Sequence, residues 1–324
     1  MDSAWHGTVS RRHLIGGAAA AASVAIADGA LAKAPLLKTQ APAFYRYNIG
    51  AIEGTVVSDG PLSIGDPAKT FRGPTAEEVG KMMTDNFLPK TEMVLDQNVI
   101  VINTGDKLAL FETGMASIAR DNKMGLLTEN LKKAGIDPAD IDAVIPTHAH
   151  IDHIGGIVNK EGKLLFPNAQ IYMTQIDFDF WTSDARMGTP AEGSARAAQK
   201  NLLPHRDRIV FYKHGQDVIP GVEAMHTPGH TMGHSSFIIK SGNSSLFLTG
   251  DTVHHNILLE NPRMQVGFDT DAAMGVDTRV KMLDMLAANR IDTLIYHMAW
   301  PGIGNVVKTS TGFRFIAKPQ QVVL

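Results

Sequence analysis

Within six positions the chain carries His148, His150, Asp152 and His153, followed at once by Gly155-Gly156. Imidazole nitrogens and carboxylate oxygens are borderline-hard donors, the set that suits zinc and similar divalent cations. A short apolar run, Asp142-Ala143-Val144-Ile145, leads into the cluster and reads as a buried strand. In an extended segment side chains alternate, so positions 148, 150 and 152 share one side and converge within about 7 Å. A turn into helix at 152–153 would swing His153 back to the same space, and the paired glycines permit the tight backbone this demands. Four such groups at one strand end are hard to satisfy without a cation, so H-x-H-x-D-H predicts a metal site. The chain has no Cys, which excludes a thiolate site, a disulfide framework and a cysteine nucleophile. No G-x-S-x-G elbow suggests a serine hydrolase either.

The elements that must position this cluster lie in a chain of 324 residues, 44% hydrophobic and 19% charged, an ordinary globular composition. A net charge of −3 and the lack of a basic stripe argue against a nucleic-acid binder. Ser10-Arg11-Arg12-His13-Leu14-Ile15, the small apolar run to Ala27 and the A-x-A patterns in Ala30-Leu31-Ala32-Lys33-Ala34 read as a twin-arginine export signal over 1–34. That run is too short for a membrane span. Its removal leaves 27 basic against 31 acidic residues, still mildly acidic. The expectation is a periplasmic protein exported folded by the twin-arginine machinery, with 35–324 as its hydrolase domain and 35–43 as a loose arm.

Residues 51–64 read as a hairpin turning at Asp59-Gly60, and a short helix is expected near Thr75–Thr84. Val99–Asn103 and Lys107–Phe111 read as strands around a Thr104-Gly105-Asp106 turn, and Gly125–Ala134 as a helix stopped by Gly135. Strands near 170–174, 209–212, 222–225, 235–240 and 245–249, helices at 175–184 and 272–288, and a final core strand Thr293–Tyr296 complete the pattern. Paired strands early and late, with helices between them, suggest two sheets with helices outside rather than one doubly wound sheet.

The dense histidine motif after a short apolar strand resembles the metallo-β-lactamase superfamily. That family carries a later His in a T-P-G-H loop, an Asp at a strand end and a last His after a C-terminal strand. Thr227-Pro228-Gly229-His230, Asp251 after Ser245–Thr249, and His297 after Thr293–Tyr296 stand in that order. The resemblance covers essentially everything after the signal. It implies an α+β fold, the αββα sandwich of two mixed sheets with outer helices. It also implies two divalent metal ions, zinc first among them. One would be held by His148, His150 and His230, the other by Asp152, His153 and His297, with Asp251 bridging. Glu112 stands where the family usually has the Asp of a D-T-G turn. His226 and His234, flanking the T-P-G-H loop, would pack against or orient ligands, while His205 and His214 are expected at the surface.

Two such ions lower the pKa of a bridging water, giving a metal-bridging hydroxide that attacks a polarised carbonyl or phosphoryl group. Asp152, a ligand beside the nucleophile, is the candidate proton carrier. The wider match, through Ala41–Arg46, Asn103-Thr104-Gly105, Asp179-Phe180-Trp181 and Pro301–Gly304, is similar to the exported methyl parathion hydrolase-like and lactonase branch. Members of that branch hydrolyse organophosphate triesters, aryl esters and lactones, and are commonly homodimers. Trp181 and Phe268 would line the substrate pocket. The position of His254 is aliphatic in phosphotriesterase members and Tyr in acyl-homoserine-lactone lactonases. A His there would donate to a carbonyl or a leaving alkoxide. The expectation is therefore opening of lactones or cleavage of aryl esters, with triester hydrolysis as the alternative. A β-lactamase is more remote, since only the shared metal motif points to it.

Overall fold

Val99-Ile100-Val101-Ile102 is apolar without alternation because both faces of its strand are buried. Val99 and Val101 pack outward with Val57 and Leu110, while Ile100 and Ile102 pack inward with Phe111 and Phe237. Successive side chains of a strand point to opposite faces, so one continuous run serves two cores. The computed structural model that reveals this describes residues 36, 38, 40–116, 118 and 123–321. The export signal expected at 1–34 lies outside the described residues.

Two seven-stranded sheets form the centre, each in sequential order. The first comprises β1 (Phe44–Ile49), β2 (Ile52–Ser58), β3 (Asn98–Asn103), β4 (Leu108–Phe111), β5 (Ala143–Val144), β6 (Gln170–Thr174) and β7 (Ile209–Tyr212). Strands β1 to β4 are antiparallel and β4 to β7 parallel. The second comprises β8 (Asp217–Ile219), β9 (Val222–His226), β10 (Ser235–Ser241), β11 (Ser244–Leu248), β12 (Asp292–Leu294), β13 (Ile303–Lys308) and β14 (Phe313–Ala317). It is antiparallel except for the β11–β12 pair. One apolar layer, with Ile102 and Phe111 from the first sheet and Phe237 and Leu248 from the second, joins the sheets. Helices cover the outsides. Leu127–Lys133, Gln175–Thr182 and Glu192–Leu202 pack on the first sheet, and Ala76–Asp85 and Ala272–Asn289 on the second. The fold is the αββα sandwich of two mixed sheets.

Most expected elements appear within a residue or two. The helix expected near Thr75 runs over Ala76–Asp85 and opens with a capping box, Glu78 N donating to Thr75 Oγ1 and Thr75 N to Glu78 Oε2. Two expectations need correction. Residues 51–64 form no hairpin: Ile52–Ser58 pairs with β1 and β3, whereas Leu62–Gly65 leaves the sheet to pair with Met93–Leu95. The strand expected at 293–296 ends at Leu294 and is not the last, since β13 and β14 follow. Helix Glu192–Leu202 was not anticipated, because its buried face of Ala195, Ala198, Asn201 and Leu202 makes no strong apolar stripe.

The failed hairpin has a physical cause in Asp59, which is 0% exposed. Its carboxylate accepts backbone amides from Met115 at 2.9 Å, Gly125 at 3.0 Å and Leu127 at 2.9 Å. Burial pushes its carboxyl up to about 7 against those amides. The side chain thus staples the segment after β4 to the end of β2 instead of turning a hairpin. Asp59→Asn replaces one acceptor oxygen by a donor that faces amides. It should lower unfolding stability by about 1–3 kcal/mol in urea melts. An unchanged midpoint would refute the staple.

Candidate metal centre

Every side chain of the predicted metal site follows the C-terminal end of a strand. β4 ends at Phe111, one residue before Glu112, and β5 ends at Val144, ahead of His148 and His150. The chain then makes a single helical turn, Ile151–Ile154, that carries Asp152 and His153. The strand thus stops earlier than the alternation argument supposed, and a bend over 147–150 aims the two histidines instead. β9, β11 and β12 deliver His230, Asp251 and His297 from the second sheet. A side chain at Gly156 would collide with the Thr113 carbonyl, so the turn closes against the β4 loop only with glycine there. Gly229, at φ +127°, passes against the backbone of Gly275 in the same manner.

The seven side chains meet in two sets, within each of which the ligating atoms lie within 4.8 Å of one another. His148, His150 and His230 form one set and Asp152, His153, Asp251 and His297 the other. In the first, His150 Nδ1 and His230 Nε2 are 2.9 Å apart. In the second, His297 Nε2 lies 3.3 Å from both Asp152 Oδ2 and Asp251 Oδ2, and His153 Nε2 lies 3.3 Å from Asp251 Oδ1. Asp251 Oδ2 also lies 3.4 Å from His230 Nε2, so this one carboxylate faces both sets.

The donor set fits two divalent cations. His148 Nε2, His153 Nε2 and Asp251 Oδ1 are buried polar atoms with no hydrogen-bond partner among the described residues, aimed where such ions would be held. Burial first, then neighbouring imidazoles, drive His148 well below its ordinary pKa and His150 to about 3, so both are neutral ligands at pH 7. Burial alone would lower His297 too. Asp251 and Asp152 outweigh it and hold His297 at about 10. Burial likewise opposes ionisation of Asp152 and Asp251, but His153 and His297 keep both carboxyls well below their ordinary range. Cations entering the second set must displace imidazole protons, so affinity there falls as pH falls.

A ring of buried partners fixes the ligands. His153 Nδ1 meets Glu112 Oε2 at 2.9 Å, so the longer carboxylate reaches the ligand. His148 Nδ1 contacts Thr147 Oγ1 at 3.0 Å, and His297 Nδ1 donates to the Asp96 carbonyl at 2.9 Å. His230 Nδ1 donates to Asp269 Oδ1 at 2.9 Å, and the buried Arg279 lies 3.6 Å beyond Asp269. Each contact leaves the ligand's other nitrogen for the metal. His234 accepts the Asp251 amide at 3.0 Å, an orienting contact of the expected kind. His226 touches no ligand side chain: it is exposed, its Nε2 lies 3.1 Å from the Met232 carbonyl of the same loop, and its ring stacks on His214 at 4.3 Å, while His214 is half-buried against Ser235 rather than free at the surface.

Sequence reasoning missed Asp177, Asp96 and Asp269, which belong to no motif. Asp177 lies in the first turn of helix Gln175–Thr182. Its two oxygens accept the amides of Ala149 at 2.8 Å and Gly233 at 2.9 Å, tying together the two loops that carry His148, His150 and His230. Asp177→Asn should weaken metal binding about 10- to 100-fold, read by competition with a chromophoric chelator and by metal content after dialysis. Affinity equal to that of the unaltered chain would remove this role.

Over the two sets opens a cavity of about 810 Å³, with His150, Asp152, His254 and His297 on its floor. The three expected pocket residues all line it. Trp181 is 4% exposed and packs edge-on to His150 at 4.8 Å, whereas Phe268 is 46% exposed. His254, 2% exposed, brings Nε2 to 3.3 Å from Asp251 Oδ2 and stacks on His297 at 5.5 Å. It therefore forms a third potential ligand group with His230 and Asp251.

Residues 93–296, more than half of the chain, match the family described as the metallo-beta-lactamase superfamily. An N-acyl homoserine lactonase of Bacillus sp is 30% identical over 156 residues, 48% of this chain and 56% of the lactonase. The chain thus spans little more than half the length of that curated relative. Among solved structures, AidC, a dizinc quorum-quenching lactonase in complex with a product, superposes with a TM-score of 0.76 at 28% identity, covering 86% of this chain and 98% of AidC. The hydrolase AbOPH superposes with a TM-score of 0.81 at 26% identity, over 87% of this chain and 100% of its own. With both sheets, the ordered histidine and aspartate ligands and this match in agreement, the chain belongs to the metallo-β-lactamase superfamily.

Proposed function

We propose that this protein is a metal-dependent hydrolase that opens lactones or cleaves aryl esters at two divalent ions, zinc foremost. The observation that carries the reading is Asp251, whose carboxylate faces both ligand sets beneath a cavity walled mainly by apolar side chains. The lactonases among its relatives, AidC and the Bacillus enzyme, support the substrate class. A pair of bound divalent ions supplies a water acidified toward neutrality and polarises a carbonyl oxygen.

The chain's own residues do the rest. Asp152 takes and returns the proton, because its carboxylate lies at the cavity floor, held by His153 and His297. Burial, only partly offset by Asp251, lowers the pKa of His254 and keeps the imidazole neutral. Nε2 stands 3.3 Å from Asp251 Oδ2 and Nδ1 has no hydrogen-bond partner among the described residues, so an N–H of this ring would serve a substrate carbonyl or a departing alkoxide. Trp181 and Phe268 present apolar surface to the acyl or aryl portion.

Dihydrocoumarin, an acyl-homoserine lactone, 4-nitrophenyl acetate and methyl paraoxon form the deciding panel. At least one lactone or ester should be turned over much faster than the phosphotriester, and the reverse order would overturn the proposal. His254→Leu should lower kcat for lactones about 100-fold, the loss of one transition-state donor, while sparing the triester. An unchanged ratio would remove His254 from the mechanism.

The proposal includes export, on the strength of Ser10-Arg11-Arg12 and the apolar run behind it. Replacing Arg11 and Arg12 together by Lys should retain the protein in the cytoplasm of a host with the twin-arginine route. Undiminished periplasmic protein would contradict that reading.

A further inference from the structure

One charge in the cavity has no task in the chemistry above. Arg186 lines the same cavity as the metal ligands, on a helical turn, Asp184–Arg186. Its guanidinium lies over the Phe180 ring at 4.5 Å, Phe180 meets Trp181 at 5.0 Å, and Trp181 meets His150 at 4.8 Å. The cation is therefore three ring contacts from the metal ligands, by way of Phe180 and Trp181.

The local fold isolates this charge. Ser183 Oγ accepts the Ala185 amide at 3.2 Å, and Arg186 O accepts Thr189 Oγ1 at 2.7 Å, so the turn is pinned at both ends. The two acids of the segment are committed elsewhere. Asp184 Oδ1 accepts Gln199 Nε2 at 3.0 Å, while Glu192 accepts the Gly188 amide at 2.9 Å and pairs with Arg196 at 2.7 Å. Among the described residues no carboxylate stands at ion-pair distance from Arg186, and its Nε is buried without an acceptor. A guanidinium held on an aromatic face with its fork unused is the arrangement that receives a planar anion. Its neighbours in the cavity wall, Thr189 and Ser194, add hydroxyls to that side.

We infer that Arg186 is a specificity-determining residue: the substrate's acyl group carries a carboxylate at the end remote from the scissile ester, and Arg186 holds it. This rests on the hydrolase reading above and narrows it. A simple N-alkanoyl lactone has no group for Arg186, whereas an ω-carboxyacyl ester or lactone spans from guanidinium to metal ligands along the apolar wall. The interaction adds no step to the reaction, since it is equally strong in bound substrate and transition state, and it therefore acts on KM rather than on kcat.

The test uses 4-nitrophenyl monoesters of succinate, adipate and suberate, each beside the same compound with its free carboxylate methylated. In the metal-loaded protein the best-fitting acid should exceed its methyl ester about 10- to 100-fold in kcat/KM, through KM, as one charge-assisted pair supplies. Arg186→Gln should abolish that preference and leave the methylated substrates within about threefold, which also shows that the variant folds. Arg186→Lys, with charge but no fork, should recover part of it. No preference in the unaltered protein at any chain length, or a preference that survives Arg186→Gln, would overturn the assignment. Hydrolysis of neither series would defeat the hydrolase reading instead. Calorimetry with adipate against its monomethyl ester then reads Arg186 without turnover, the second carboxylate tightening binding only when Arg186 is present.

Discussion

Asp251 is the constraint on which the rest depends. A carboxylate almost wholly removed from water lies among His153, His230, His254 and His297, and one of its oxygens is shared between two groups of ligands. An isolated buried charge would neutralise itself, so this one persists only because cationic partners surround it. The protein alone supplies imidazole protons for that purpose. Divalent ions supply more charge at the same positions, and the buried ligand atoms that lack partners show where they would be accepted.

The sandwich makes this crowding affordable by dividing it. The first sheet contributes His148, His150, Asp152 and His153 from one loop, and the second contributes His230, Asp251 and His297 from three. All arrive at carboxyl ends of strands along a single edge, and the inner apolar layer holds the sheets in register. Along the same edge Glu112 holds the left-handed region at φ +70° and Gly250, directly before Asp251, φ +52°. Gly156 and Gly229 occur where two backbones pass too closely for a side chain.

A second tier of carboxylates and carbonyls converts nearness into geometry. Glu112, Asp269 and the Asp96 carbonyl each bind the ring nitrogen that a ligand does not present to the metal. Asp177 acts on backbone instead, clamping two ligand loops together. Removing one of these would leave the ligands present but misdirected, which is why metal affinity is the property expected to respond. Above them the cavity wall is largely apolar, with Arg186 and the hydroxyls of Thr189 and Ser194 on one side.

Much was legible in order and spacing. H-x-H-x-D-H, the T-P-G-H loop, Asp251 and His297 are local signals whose residue types leave little alternative use, and the apolar runs around Ile100 and Phe247 report burial on both faces of a strand. Asp59-Gly60 shows where such reading stops. The dipeptide has the chemistry of a turn, yet its carboxylate is claimed by three amides from residues 115–127, distant in sequence. Asp177, Asp269 and Arg186 look like any other charged residues until packing shows that two are bonded to ligand loops or rings and the third to no acid at all among the described residues. Residue chemistry and strand period are intrinsic to the chain and therefore determined the ligand set and the layered architecture. The partner of a polar side chain is decided by whichever distant group folding brings within 3 Å, and that only the tertiary structure could decide.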